Sequence, residues 1–366
     1  MTEERIVQHE EAATAKRKGE HIRICLEEPV SAVGIGSGFE QLRFRHNALP
    51  ELSLGRISLS ASFLGRPLQA PLLVSSMTGG TQQAERINRR LAEAAQARGW
   101  AMALGSMRAA IEDESLAATF QVRREAPTIP IIANLGAVQL NYGYGADTCL
   151  RAVELAEADG LVLHLNSMQE AFQPEGDTDF SALLEKIRRL CHELSIPVGV
   201  KEVGWGIDGE TAGRLVEAGV SFIDVAGAGG TSWSQVERYR TRDAIRREAA
   251  AAFAGWGIST VQSIREVRRE APHMTLIASG GLHTGVDAAK AIALGADLAG
   301  YGRALLPVAA DHGAEAGTEE LLHQFERIEF ELRAAMFGIG AASIDQLRQT
   351  KRLVWAGTPT LESEGG

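Results

Sequence analysis

LVLHLNSMQE, residues 161–170, is the stretch on which the reading of this chain turns. Four of its first five residues are Leu or Val and Gly160 precedes it, so it reads as a buried strand of the parallel kind. The polar groups then arrive together where the strand stops. His164, Asn166, Gln169 and Glu170 bring an imidazole, two amides and a carboxylate, a density that packing alone does not call for, since every buried polar group needs a partner. The expectation is the floor of an active site.

Working outward, similar runs recur at PLLVSS (71–76), WAMALG (100–105), PIIANLG (130–136), PVGVKEVG (197–204), SFIDVAGAG (221–229), TLIASGG (275–281) and LAGYG (298–302), which with GLVLHLN (160–166) makes eight. Between them lie stretches such as AERINRRLAEAAQARG, LEKIRRLCHELS and GVDAAKAIALGA, with apolar residues three and four apart. Strand, loop and helix in alternation mean parallel strands with crossover helices. Eight units close most economically into a (β/α)8 TIM barrel. An open doubly wound sheet is the structural alternative, but no GxGxxG follows the first strand. Residues 71–340 are therefore read as the barrel, 1–70 as an N-terminal arm and barrel-capping lead-in, and 341–366 as a C-terminal tail. Residues 1–20 are expected to be a polar helical arm. The long insertion after strand 6, from Gly229 to a helix starting near Ser259, is a candidate lid.

The 366 residues are 45% hydrophobic and 23% charged, ordinary values for a protein with a large core. A formal net charge of −10 argues against coating nucleic acid, while a local basic pocket for an anionic small molecule remains open. Cys25, Cys149 and Cys191 are widely separated and form no CxxC pair, which suits a reducing cytoplasm. No signal-peptide core is found, and no run approaches the roughly 18 apolar residues of a membrane span. The expectation is a soluble cytoplasmic protein with no nucleic-acid or membrane partner.

Barrel enzymes carry their chemistry at the carboxyl ends of the strands. Those ends supply Ser75, Ser76, Met77 and Thr78 from strand one, Ser106 and Arg108 from strand two, and Asn134 from strand three. Lys201 and Glu202 end strand five, and Gly230, Thr231 and Ser232 follow strand six. Strands seven and eight give Ser279, Gly280, Gly281, Gly302 and Arg303, two Gly-bearing loops in the positions that hold phosphate in this fold. Lys201 is costly to bury alone, so it serves as a Schiff-base lysine or as partner to the anionic edge of a cofactor; pairing with Glu202 is disfavoured because adjacent strand residues face opposite ways. Glu170 is a candidate ligand for a hard cation such as Mg2+ held together with substrate phosphates.

MTGGT (77–81), GSMR (105–108), ANLG (133–136), HLNSMQE (164–170), VKEVGWGI (200–207), DVAGAGGTSW (224–233), SGGLHTGVDAAKAIALGA (279–296) and RKGEH (17–21) resemble, in this order of barrel position, the type 2 isopentenyl-diphosphate isomerases. The resemblance implies an FMN-dependent barrel that interconverts isopentenyl and dimethylallyl diphosphate with reduced FMN and Mg2+ and no net redox change, using NAD(P)H as reductant. It also implies a homo-oligomer, a tetramer or octamer. It assigns FMN contacts to Ser76, Met77, Thr78, Ser106, Asn134, Lys201, Thr231, the Gly280, Gly281, Leu282 loop and the Gly302, Arg303, Ala304 turn. Glu170 matches the metal ligand; Arg17, Lys18, His21, Ser106, Arg108, His164, Asn166 and Gln169 are the substrate contacts. The reading treats Arg17, Lys18, Arg108 and His164 as cations for the diphosphate, and Met77, Met168 and Trp233 as an apolar wall for the prenyl tail. Reduced flavin is read as the central proton carrier, with Gln169 and Glu237 beside it and with Lys201 and His164 in support. One departure is His283, where the family usually has Arg. The competing readings are an FMN-dependent oxidoreductase of the 2-hydroxy-acid or dihydroorotate type, and a silent flavin- or phosphate-binding homologue.

Overall fold

The structure, a computed structural model, describes residues 16–311 and 316–357. Most of the expected N-terminal arm (1–15) and the end of the expected tail (358–366) lie outside the described residues; within them, residues 16–27 are helical.

Eight parallel strands close into a barrel: β1 (Leu72–Val74), β2 (Ala101–Ala103), β3 (Ile131–Gly136), β4 (Gly160–His164), β5 (Val198–Lys201), β6 (Phe222–Asp224), β7 (Thr275–Ala278) and β8 (Leu298–Tyr301). Neighbours pair in chain order, and β8 closes on β1 through Tyr301 opposite Val74. The first crossover helix, Gln82–Arg98, shows why these stretches fold as they do. Thr81 caps it by accepting from the Ala84 N–H, Gly99 ends it in the left-handed region, and Ala84, Ile87, Leu91 and Ala95 form its buried face. The second crossover is only Arg108–Glu112 followed by a 3-10 turn at Glu114–Thr119. The long helix Ala316–Ile339 packs on Gln82–Arg98 and closes the ring.

The bore of the barrel is filled by one apolar cluster in which Phe222 joins Leu73, Ala101, Ile132, Val162 and Ile277. Residue 199 has to be glycine for this, because a Cβ there would come within 2.1 Å of the Phe222 ring. A hairpin, Ala61–Phe63 with Arg66–Leu68, plugs the amino end of the bore with Phe63 and Leu68, and Phe63 sits edge-on to Phe222 at 5.4 Å. The lead-in therefore caps the amino end, but it also laces the other end. Ala32 N–H donates to Gly230 O at 3.0 Å and Ser232 N–H to Val30 O at 2.8 Å, which holds the helix 16–27 over the carboxyl ends of the strands.

The insertion after β6 folds as helices Trp233–Arg240 and Ala244–Ala252, and its far end returns to the barrel where Ser259 bridges Ala228. Residues 341–357, read from the sequence as the beginning of a tail, are packed: Ile344 and Leu347 are buried, and Leu353–Trp355 pairs antiparallel with Leu42–Phe44. Among the described residues no helix is long and apolar enough to cross a membrane.

Candidate active site

One cavity opens at the carboxyl ends of the strands, and it gathers nearly every residue singled out above. β1 contributes Ser76, Met77 and Thr78, β2 contributes Ser106 and Arg108, and β3 contributes Asn134. From β4 come His164, Asn166, Gln169 and Glu170, and from β5 comes Lys201. Thr231, Gly280, Gly281, Leu282, Gly302, Arg303 and Ala304 complete the wall from the last three strands, while Arg17, Lys18 and His21 enter it from the helix over the top. His283 reaches the same cavity from an exposed position.

Three readings are corrected by the geometry. Glu237 is fully buried but is not part of the wall: it stands behind His21, whose Nε2 lies 2.9 Å from Glu237 Oε1, and behind Gln169, whose Nε2 lies 3.5 Å from the same oxygen. Met168 also stays out of the wall, because it sits on the helix Ser167–Phe172, whose turn sends Gln169 inward instead. His164 is uncharged while the cavity holds no anion. Burial first, then the charges of Lys201 and Lys18, push it down to about 3, and Asn134 Oδ1 takes up its Nδ1 at 2.8 Å. Because the Asn134 amide nitrogen donates to Leu104 O, Nδ1 carries the His164 proton and Nε2 is left as an acceptor.

The cations that remain crowd together. Burial, together with Arg17 and Arg108, pulls Lys18 down to about 7, and burial followed by Arg108 lowers Arg17. Arg108 goes the other way: burial opposes its charge, but Glu112 and Asp177 outweigh it and hold the guanidinium charged. Glu170 is buried and raised by that burial, its Oε1 accepting from Asn166 at 2.7 Å and its Oε2 from the Asp177 N–H at 2.8 Å. Lys201, lowered by burial, donates to the Glu202 carbonyl at 2.5 Å, whereas the Glu202 carboxylate turns away to accept from the N–H groups of Val203, Gly204 and Trp205. Glu202 itself is pushed up to about 7 by burial. Glu237 stays ionised: burial opposes this, but His21 and Arg240 lower its pKa, Arg240 Nε donating at 2.6 Å.

Sequence reading missed Asp177, Gln139, Gln173 and Arg240. Gln139 and Gln173 line the cavity, Asp177 bonds Arg108 and Gln139, and Arg240 holds Glu237. The acidic loop QPEGDTDF (173–180) at the end of β4 carried a signal for Asp177, but a charged loop reads by default as solvated surface.

The cavity fits a flavin phosphate. Ser75 Oγ, Ser76 Oγ and Thr78 Oγ1 are buried there without a partner, an arrangement that leaves donors for a ligand to satisfy. Gly280, with φ +102°, backs onto Gly227 O so closely that a Cβ would come within 2.2 Å, and the loops after β6 and β7 thereby present bare backbone to the cavity. Arg303 donates to the Ser31 hydroxyl. For Mg2+ the fit is conditional. Among the described residues no group of three or more His, Cys, Asp or Glu side chains could hold a metal, so Glu170, with the unpartnered Asn166 Oδ1 beside it, suits an ion that arrives on a diphosphate and keeps its waters.

Comparison with known proteins fits this geometry. The chain is 52% identical over 338 residues to the isopentenyl-diphosphate delta-isomerase of Oceanobacillus iheyensis, covering 92% of this chain and 95% of that one. It belongs to the type 2 isopentenyl-diphosphate delta-isomerase family. The isomerase of a Nostoc species is 50% identical over 342 residues, covering 93% of this chain and 96% of its own. Residues 139–355 match the FMN-dependent dehydrogenase family, which implies an FMN site. A soluble mutant of (S)-mandelate dehydrogenase from Pseudomonas putida superposes with a TM-score of 0.64 at 21% identity over 95% of this chain and 98% of that one, a likeness of fold.

Proposed function

We propose that this chain interconverts isopentenyl and dimethylallyl diphosphate as a tetramer or octamer, with FMN reduced by NAD(P)H and with Mg2+ on the diphosphate. The observation that carries the reading is the crowding of Arg17, Lys18 and Arg108 in the same cavity as the unpartnered hydroxyls of Ser75, Ser76 and Thr78. One set asks for a polyanion and the other for a second polar ligand, which supports a cavity that takes a diphosphate and a flavin together.

The reaction adds a proton at the terminal alkene carbon and removes one two carbons away, through a state with tertiary carbocation character. When bound, reduced FMN supplies an electron-rich ring able to exchange that proton. Around it the chain's own residues have separate tasks. Arg17, Lys18 and Arg108 anchor the diphosphate, and neutral His164 offers it the Nε2 acceptor through a proton or a water. Glu170 with Asn166 takes the Mg2+ that the diphosphate brings. Gln169 lines the cavity, held between Asn166 and Glu237, and Glu237 acts as its positioning residue, itself fixed by His21 and Arg240. Lys201 opposes negative charge on the reduced ring. Met77 and Trp233 give the carbocation a wall without a hydroxyl or amine nucleophile.

The test is anaerobic turnover of isopentenyl diphosphate by the purified, FMN-loaded protein after reduction, with Mg2+ present. Dimethylallyl diphosphate formed without net flavin oxidation is expected. Stoichiometric oxidation of a 2-hydroxy acid in its place would sink the reading, and a flavin spectrum with neither activity would leave a silent binder.

A further inference from the structure

Two acidic side chains on the loop after the helix Ser167–Phe172 touch arginines of the cavity and have no task in the proposed reaction. Asp177 Oδ2 accepts from Arg108 Nη1 at 2.6 Å and from Gln139 Nε2 at 2.9 Å. Glu175 Oε1 lies 2.8 Å from Arg240 and 3.8 Å from Arg17. Both arginines assigned to the diphosphate thus already face a carboxylate of one loop. That loop's backbone is engaged too, since the Asp177 N–H donates to Glu170 Oε2 at 2.8 Å.

A carboxylate on a phosphate-binding arginine either orients it and stays, or occupies the anion's place and leaves. The nitrogens of Arg108 separate the two cases. Glu112 takes Nε at 2.5 Å and Asp177 takes Nη1 at 2.6 Å, so each edge of the guanidinium has one nitrogen in use. A phosphate that grips an arginine through two parallel N–H groups needs a whole edge. Such a grip on either edge competes with the carboxylate already bonded there. Glu112 is four residues along the same short helix, whereas Asp177 is on a loop, and Glu175 beside it is half exposed.

We infer that Glu175 and Asp177 are stand-in anions, which hold Arg17 and Arg108 until the substrate's diphosphate displaces them and which thereby make the site select a diphosphate over a monophosphate. The inference rests on reading this cavity as the isopentenyl diphosphate site. A monophosphate brings about two negative charges, no more than the pair of carboxylates it has to replace, while a diphosphate ester exceeds them. The Asp177 main-chain N–H, which holds Glu170 Oε2, can stay in place while its side chain turns off Arg108.

Calorimetric titration of the FMN-loaded protein with inorganic pyrophosphate and with inorganic phosphate tests this, in the wild type and in Asp177→Asn and Glu175→Gln. Removing a stand-in should tighten both ligands, phosphate the more, so that the preference for pyrophosphate falls by about tenfold. Glu175→Gln is on a half-exposed loop position and keeps the test available should Asp177→Asn fail to fold. Weaker pyrophosphate binding in the variants would mean that the carboxylates only orient the arginines, and an unchanged preference would equally overturn the inference. Failure of the underlying reading is separate and is seen in the wild type alone, as absent turnover of isopentenyl diphosphate.

Discussion

Lys18 offers the sharpest prediction, because it is the cation whose charge depends on the ligand. Burial and the neighbouring Arg17 and Arg108 pull it from 10.5 to about 7, a change that corresponds to roughly 5 kcal/mol of lost hydration and repulsion. At pH 8 the free protein therefore holds it as a neutral amine in about 0.9 of molecules, and at pH 6 in about 0.1. A bound diphosphate restores the ammonium. Binding of inorganic pyrophosphate should then take up about 0.9 proton per site at pH 8 and about 0.1 at pH 6. Titration calorimetry in two buffers of different ionisation heat reads the net proton number, and the difference between wild type and Lys18→Met, in which the protons of pyrophosphate itself cancel, should be about 0.9 at pH 8 and about 0.1 at pH 6. His164, held at about 3, and His21, lowered by burial, are rival sinks on the same ligand, and their uptake would persist in Lys18→Met. No difference between the two proteins at pH 8 refutes the reasoning. The sign for stability follows from the same shift. Since the folded value lies below the unfolded one, this group makes the ligand-free protein more stable as pH rises from about 7 toward 10.5, and the gain is absent below 7.

Glu170→Gln should abolish the Mg2+ dependence of turnover while leaving FMN binding, read from the flavin spectrum, intact; unchanged Mg2+ dependence would remove Glu170 from the metal site. Deleting residues 1–18 takes away Arg17 and Lys18, and should raise KM at least tenfold with flavin retained, since the hydroxyls of Ser75, Ser76 and Thr78 are untouched. Gly199→Ala drives a methyl into the Phe222 ring and should cost about 1–3 kcal/mol, visible as a lower Tm, with restoration on adding Phe222→Leu.

Much of this was legible in the chain because barrel strands are read by two local signals, a short apolar run and a polar stop. PIIANLG and GLVLHLN show both, and the residues at their ends reached the cavity. What escaped depended on pairings with no local pattern. Leu42–Phe44 meets Leu353–Trp355 across nearly the whole described chain, so the latter read as tail. Met168 and Gln169 are adjacent, and one helical turn decides which of them faces inward. Glu237 was found by resemblance, but its place behind His21 depends on how the helix 16–27 packs on the insertion, which neither segment encodes alone. The charge of His164 is likewise a property of its enclosure by Lys18 and Lys201 and not of its own strand.

The pairing of Leu42–Phe44 with Leu353–Trp355 bears on the order in which the molecule is made. On a ribosome the first of these strands emerges long before its partner exists, and closing so large a loop is among the slowest steps available to a chain. The lead-in is therefore fastened in two stages: the segment after the helix 16–27 can bond Gly230 and Ser232 as soon as the insertion is made, whereas Leu42–Phe44 waits for residues 353–355. The helix over the cavity depends on the middle of the chain, and only the strand behind it depends on the end.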